Sequence, residues 1–341
     1  MPLLLTEADV KSVLTMPLAL ECVQDSFQGL ADGSALLHSR QRLHLPSKSY
    51  LHYMAAADGA SGYLGLKIYT SSREGLRFLI TLFSMESGDL LALIEADFMG
   101  QMRTGAASGL ATRLLAREDA RTLGMVGTGL QARTQLQAIA QIRKLTEVRA
   151  FSRESAKREI FAKEMTEALK IPVSAAESAE AAVRGADIIV TSTTSTNPVV
   201  EGRWLNPGVH INAIGANFPQ KRELDAQAVK RCNVIVVDSR EQSKLEAGDI
   251  IQTCGEDAQR WAEVRELADI VSGKVTGRTN TSEITLFKSN GIAIEDVVVA
   301  GRIYEMARER GIGRQVPMWQ QAEPEKRVRS LSSEALLKAQ F

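Results

Sequence analysis

Arg121-Thr-Leu-Gly-Met-Val-Gly-Thr-Gly-Leu-Gln-Ala132 decides the fold of this 341-residue chain. A short apolar run, Leu123 to Val126, enters the turn Gly127-Thr-Gly-Leu-Gln-Ala132, and a helical pattern follows. A Gly-x-Gly-x-x-(Gly/Ala) turn means little alone and far more between a strand and a helix, where it marks a dinucleotide-binding unit. Gly127 allows the tight turn, Gly129 lets backbone approach a pyrophosphate, and Ala132 lets helix and strand pack closely. The pyrophosphate would sit near Thr128, Leu130 and Gln131, at a helix N-terminus whose unpaired N–H groups and dipole favour an anion. The competing reading is a glycine-rich turn with no ligand.

Outward from this turn the chain alternates between strand and helix patterns. Strands are expected at 122–126, 147–151, 187–191, 209–214 and 233–237, each after a helical or polar crossover, which argues for a parallel sheet. The first third reads differently. Residues 17–32 form an amphipathic helix pattern with Leu20, Val23, Phe27 and Leu30 close to one face and Gly33 beyond the end. Alternation in Arg42-Leu-His-Leu, Tyr50-Leu-His-Tyr-Met and Gly65-Leu-Lys-Ile-Tyr predicts strands, broken at Pro46-Ser47 and by a turn at 59–62. Two more strands are expected at 77–85 and 90–95, then a small-residue helix over 103–117. A helix over 294–310 should stop at Gly311, and the polar tail from Gln320 reads as an arm or a disordered segment.

The composition, 44% hydrophobic and 24% charged, suffices for a full core. Forty-one basic residues balance 41 acidic ones, which argues against nucleic acid or an anionic membrane as partner. Cys22, Cys232 and Cys254 lack the spacing of a zinc site or a disulfide framework, so no metal is expected. No apolar run approaches the ~20 residues of a membrane span. Met1-Pro-Leu-Leu-Leu-Thr-Glu carries no basic segment of a signal peptide, and a soluble, cytoplasmic protein is expected.

The second strand of a dinucleotide-binding unit ends beside the adenosine ribose, where an acidic residue selects NAD and an Arg accommodates the phosphate of NADP. Here Glu147-Val-Arg-Ala-Phe runs into Ser152-Arg153, with Lys157 and Arg158 one turn later, and Glu154 comes too late to be the usual ribose ligand. Arg153 can pair bidentately with a phosphate and stack on adenine. A solvated basic helix start is the plainer alternative. The pattern favours NADP(H) over NAD(H).

Several passages together resemble the ornithine cyclodeaminase and mu-crystallin family. They include Gly65-Leu-Lys-Ile-Tyr, Gln101-Met-Arg-Thr-Gly-Ala-Ala-Ser, Val126-Gly-Thr-Gly-Leu-Gln-Ala, Gly208-Val-His-Ile-Asn-Ala-Ile-Gly, Arg222-Glu-Leu-Asp, Val237-Asp-Ser, Glu246-Ala-Gly-Asp and Thr285-Leu-Phe-Lys-Ser-Asn-Gly-Ile-Ala-Ile-Glu-Asp. The likeness spans roughly residues 40 to 310. It implies an α/β fold, with a Rossmann NAD(P)-binding domain at 114–301. An α+β substrate and dimerisation domain would comprise 1–113 with 302–341, and a homodimer is implied.

Members of that family grip a substrate α-carboxylate with cations, which the resemblance places at Arg42, Lys67 and Arg103. Cations gathered in a closed cleft are unfavourable without an anion, and a carboxylate would serve. On pattern alone Lys67 and Arg103 could equally be surface charges. Arg40 competes with Arg42 and reads as the surface residue of the two. Cyclodeaminases of the family place an aspartate in a Gly-x-Asp-x-Pro loop, where this chain has Gly215-Ala-Asn217-Phe-Pro219. Asn has no proton to exchange near neutral pH, which puts cyclodeaminase chemistry in doubt. His52 stands where cyclodeaminases carry a glutamate and would either donate a proton to an imine nitrogen or pack as a strand histidine. His210, in an apolar strand, reads as structural. Thr191, Ser192 and Thr193 at a strand end, with Gly215, Asn217, Lys288 and Thr104, are further candidates around the cofactor.

The resulting expectation is an NAD(P)H-dependent imine (ketimine) reductase acting on a small α-imino acid. Cyclic substrates such as Δ1-pyrroline-2-carboxylate or Δ1-piperideine-2-carboxylate are included. His52, Lys67 or a bound water would protonate the nitrogen, Asn217 is a further catalytic candidate that can only hydrogen-bond, and Lys67 near other cations would have a depressed pKa. The alternatives are an ornithine cyclodeaminase, an alanine-dehydrogenase-like enzyme, or a non-catalytic, mu-crystallin-like NADPH binder.

Overall fold

A computed structural model describes residues 1–44, 49–72 and 75–318. Pro46, Ser47 and the tail from Gln320 lie outside the described residues. Two sheets organise the rest. The first, largely antiparallel, runs in the order Arg314–Gln315, Leu3–Leu5, Leu90–Glu95, Gly75–Ser84, Tyr63–Ser72, Tyr50–Asp58, Ala35–Leu37, with Gln41–His44 also pairing with Tyr50–Asp58. Its side chains alternate as a pleated sheet demands. Met54, Lys67, Tyr69, Ile80 and Leu82 point into the protein, whereas Tyr53, Leu64 and Leu79 on the other face are exposed. Helices Met16–Asp32, Asp97–Leu115 and Ala293–Arg310 complete the core behind the inward face.

The second sheet is parallel throughout, in the order Val173–Ala175, Glu147–Phe151, Thr122–Val126, Ile188–Thr191, His210–Ala213, Thr285–Lys288, Val234–Val237, Arg265–Glu266. All five expected strands are present, within a residue of the expected limits. Three were not expected, and Thr285–Lys288 is the instructive one. It lies between His210–Ala213 and Val234–Val237 with every residue buried. Four residues are too few to establish a period. The chain order reverses between Thr122–Val126 and Ile188–Thr191, which opens a crevice at the carboxyl ends of those strands.

The small-residue helix starts at Asp97, six residues before the expected start. Its N-cap, Ala96, makes no side-chain cap. The carboxylate of Glu7 instead accepts the amides of Asp97 and Phe98 at 2.6 and 3.1 Å, a contact between distant parts of the chain. The small residues serve packing: a Cβ on Gly105 would meet the carbonyl of Thr134 at 2.4 Å, so helices Asp97–Leu115 and Leu130–Ile142 cross closely. Helix Ala293–Arg310 ends at Gly311 (φ 64°) as expected. It packs against strands of the first sheet and helix Met16–Asp32. The domain limit expected between 301 and 302 therefore falls inside this helix. Among the described residues no helix is long and apolar enough to cross a membrane, and no cluster suited to a metal occurs.

Candidate active site

A cavity of about 610 Å³ opens between the two sheets. One wall belongs to the dinucleotide turn. Gly127 has φ 106°, and a Cβ there would strike the carbonyl of Ser192 at 2.6 Å, so only glycine closes the turn against the neighbouring strand end. Gly129 faces open space, and no side chain caps helix Leu130–Ile142 behind it. Free first-turn amides with room before them are what a pyrophosphate requires. Leu130 is exposed, and Gln131 lines the cavity with a buried Oε1 that has no partner. The Thr128 hydroxyl donates to Ser152 Oγ at 2.9 Å, joining the turn to the end of the second strand. There Arg153 is exposed, and no carboxylate among the described residues pairs with it. Lys157 is held by Glu154 at 2.7 Å, also on the surface. Thr104, Ser192, Thr193, Gly215 and Asn217 line the same cavity.

Two expected cofactor neighbours are elsewhere. Thr191 is fully buried and donates its hydroxyl to Glu223 at 2.9 Å. Lys288 is also fully buried, donating to the Ala213 carbonyl at 3.2 Å beside Asp249. Both point away from the cavity because strand side chains alternate, and a residue at a strand end faces the ligand or the core depending on register.

The opposite wall comes from the first sheet. Lys67 Nζ donates to Asp296 Oδ1 at 2.7 Å, and Arg103 Nε reaches the same oxygen at 3.1 Å. Arg103 Nη1 meets Glu295 Oε2 at 2.8 Å. Arg40 and Arg42 share Glu246, at 2.5 Å to Oε2 and 2.6 Å to Oε1. Each of these cations is thus paired from within the protein. A ligand is therefore not needed as their sole anion, contrary to expectation, but four cations stand against three directly paired carboxylates, leaving a positive excess. The surface assignment of Arg40 is also corrected. Arg40 is buried and lines the cavity, its Nη2 donating to the carbonyls of Asn290 and Gly291. Arg42 is partly exposed, stacks on Phe218 at 4.5 Å and donates to the Asn217 carbonyl.

Burial, reinforced by Arg103 and opposed by Asp296, lowers the Lys67 pKa to about 8. Its pKa is depressed as expected, though burial outweighs the neighbouring cation. Burial lowers Arg103 too, but Asp296 and Glu295 together hold it above its ordinary value. Burial, then Arg42 and Arg40, pulls His52 down to about 4, so the ring is neutral near pH 7. His52 lines the cavity, stacks on Tyr69 at 4.3 Å and bonds Ser71 Oγ at 3.2 Å. His210 is buried away from the site between Thr285 and Asn212. Tyr50, Tyr69, Phe78 and Phe218 complete an aromatic lining. Among the described residues none of the lining side chains is acidic.

The sequence pattern of the ornithine cyclodeaminase/mu-crystallin family matches residues 1–311. The chain belongs to this family. A Δ1-pyrroline-2-carboxylate reductase of Bacillus cereus is 38% identical over 261 residues, 74% of this chain and 80% of that protein. The alanine dehydrogenase of Archaeoglobus fulgidus is 34% identical over 329 residues, 92% of this chain and 98% of its own length. Among solved structures, the Thermococcus litoralis Δ1-pyrroline-2-carboxylate reductase, in complex with NADH and L-proline, superposes with a TM-score of 0.89 at 37% identity. That match covers 92% of this chain and all of the other.

Glu246, Glu295 and Asp296 of this family member were not expected at the site: they stand inside the motifs Glu246-Ala-Gly-Asp and Ile-Glu-Asp, and only the fold brings them against cations.

Proposed function

We propose that this protein is an NAD(P)H-dependent imine reductase acting on a small α-imino acid, with Δ1-pyrroline-2-carboxylate and Δ1-piperideine-2-carboxylate as substrates to test first. The observation that carries the reading is the pairing of a dinucleotide cradle with a cationic wall across one cavity that no described carboxylate lines. A bound nicotinamide cofactor supplies the hydride. Thr128, Gly129, Leu130 and Gln131 are assigned to its pyrophosphate, Ser152 and Arg153 to the adenosine side, and Thr193, Gly215 and Asn217 to the nicotinamide side. Arg153, without an acidic partner, suits the extra phosphate of NADP(H), and NAD(H) remains acceptable to the same turn.

Arg40, Lys67 and Arg103 hold the substrate carboxylate, with Arg42 behind them. Each retains donors beyond its internal ion pair; Lys67, for example, has three N–H groups and gives one to Asp296. Lys67 is also assigned the proton for the imine nitrogen, because a pKa of about 8 leaves it charged yet able to release a proton near neutral pH. His52, neutral at that pH, serves as wall and hydrogen-bond partner. The aromatic lining excludes water and receives the substrate's carbon skeleton.

The lining argues against diamino acids, since a distal ammonium would meet cations and no carboxylate. A dehydrogenase reading keeps support from the similarity to the Archaeoglobus fulgidus enzyme. Oxidation of L-alanine and L-proline with NADP+ or NAD+, run beside imine reduction, separates the two. Faster imine reduction supports the reductase, and alanine turnover without imine turnover overturns it. We further assign a homodimer, because Leu36, Tyr53, Leu64 and Leu79 leave an apolar sheet face exposed. Three free cysteines fit a reducing, cytoplasmic setting.

A further inference from the structure

Glu223 takes no part in the chemistry above, yet it is fully buried directly behind the cofactor side of the cavity. Its Oε1 accepts the amide of Thr193 at 2.6 Å. Its Oε2 accepts the amide of Gly215 at 2.7 Å and the hydroxyl of Thr191 at 2.9 Å. Thr193 follows strand Ile188–Thr191 and Gly215 follows strand His210–Ala213, so one carboxylate ties two strand ends together. Asp249 holds the base of this clamp, its Oδ1 accepting the amides of Glu223 and Leu224 at 2.6 and 2.8 Å. Asp249 Oδ2 lies 3.5 Å from Lys288 Nζ, which donates to the last carbonyl of strand His210–Ala213. Three motifs with no catalytic assignment, Arg222-Glu-Leu-Asp, Glu246-Ala-Gly-Asp and Leu-Phe-Lys-Ser, thus build one buried network.

Three buried charges are a costly way to pack a core, and apolar residues of similar size would often serve stability better. Geometry supplies a different reason for them. The amides of Thr193 and Gly215 can only donate, and a carboxylate offers an acceptor at both oxygens where a side-chain amide offers one. The loops also touch without a side chain between them, since a Cβ on Gly215 would lie 2.2 Å from the Thr193 carbonyl. Thr193, Gly215 and Asn217 then line the cavity.

The geometry points to Glu223 as a positioning residue for the cofactor: acting through Thr193 and Gly215, it fixes the separation of the two strand-end loops that hold the nicotinamide. This rests on the NAD(P)H reading given above. Lys288 and Asp249 act one step further back: burial and the Asp249 carboxylate push the Glu223 pKa up, the Lys288 ammonium opposes them, and Asp249 holds the Glu223 backbone amide in register.

The test is Glu223→Gln in the full chain, followed by fluorescence titration with NADPH and by kinetics with each of the two C4-deuterated NADPH epimers. The variant turns one acceptor into a donor facing a donor. It should bind NADPH about tenfold more weakly, the size of one buried donor left unpaired. Its isotope effect with the transferred deuterium should rise, while KM for the imine stays within about twofold. Lowered thermal stability with unchanged NADPH affinity and isotope effect would make Glu223 merely structural and overturn the proposal. Thr191→Val, which removes one donor to the same carboxylate, should weaken NADPH about threefold. If the glutamine variant does not fold, this valine variant decides alone, and unchanged affinity overturns the proposal. A wild-type protein that binds neither NADPH nor NADH fails the functional reading itself. One that binds them equally with and without Glu223 fails only this inference.

Discussion

The two walls of the cavity solve the problem of binding an anion in opposite ways. The dinucleotide wall presents mostly neutral groups, Gln131, Ser192, Thr193 and Gly215, with Lys221 against Phe218 at its edge, and has at its helix start backbone amides that no side chain caps. The substrate wall uses full charges, and Arg40, Arg42, Lys67 and Arg103 are each already paired with Glu246, Glu295 or Asp296. On the proposed reading a pyrophosphate would need only fixed amides and space. A small imino acid must be oriented to a fraction of an ångström and given a proton. On the same reading, charges locked by internal carboxylates would provide both.

The sharpest way to break this comparison is to remove the ammonium. Lys67→Met should lower kcat/KM for the imine by about 10³ while NADPH affinity stays unchanged, since it deletes both the proton and a carboxylate contact. A loss of nucleotide binding of similar size would mean that the two walls are not separable.

Asp296→Asn probes the internal balance. Asp296 raises the affinity of Lys67 for its proton, so its neutralisation should drop the pKa below about 8. Activity that depends on the ammonium is present below that pKa, so the alkaline limb of the kcat/KM profile should move to lower pH. The same change leaves Lys67 and Arg103 buried with a weaker partner, and urea unfolding should show a loss of about 3 kcal/mol. An unmoved alkaline limb would assign the proton to another group.

The glycines sharpen the other side of the comparison. Gly127→Ala should cost about 2 kcal/mol of stability even without nucleotide, because its φ of 106° and the Ser192 carbonyl at 2.6 Å both reject a methyl group. Gly129→Ala meets open space and should leave stability intact while weakening NADPH about tenfold. Calorimetry with and without NADPH separates the two effects.

These contrasts also explain what could be read from the sequence. The dinucleotide wall is contiguous: a strand, Gly127, Gly129, Ala132 and a helix follow one another, so a local pattern suffices. The substrate wall is assembled from Arg40, Arg42, Lys67, Arg103, Glu246, Glu295 and Asp296, spread over most of the chain. Resemblance marked three of its four cations, Arg42, Lys67 and Arg103, but no periodicity shows that Glu246 lies against Arg40 or that Asp296 joins Lys67 to Arg103. Arg40 was misplaced for that reason, since a residue ahead of a short edge strand looks exposed until a distant helix covers it. Lys288 and Thr191 failed on register, because the strand end was right and the face was not. Strand Thr285–Lys288 was quoted as a motif and still missed as a strand, being too short to declare a period.

A further expected effect concerns cofactor choice. Arg153→Ala should reduce preference for NADPH over NADH by about tenfold, the worth of one exposed guanidinium–phosphate pair, and leave kcat near its starting value. An unchanged preference would return Arg153 to the solvated surface.

The central claim is best tested by following oxidation of NADPH and NADH by the unmodified protein. Δ1-Pyrroline-2-carboxylate and Δ1-piperideine-2-carboxylate would be offered separately, and L-ornithine with the oxidised cofactors in parallel. The account predicts reduction of at least one imine, faster with NADPH, falling away above about pH 8 as Lys67 loses its proton, and no proline from ornithine. Conversion of ornithine to proline, or tight NADPH binding with neither imine reduced, would contradict it.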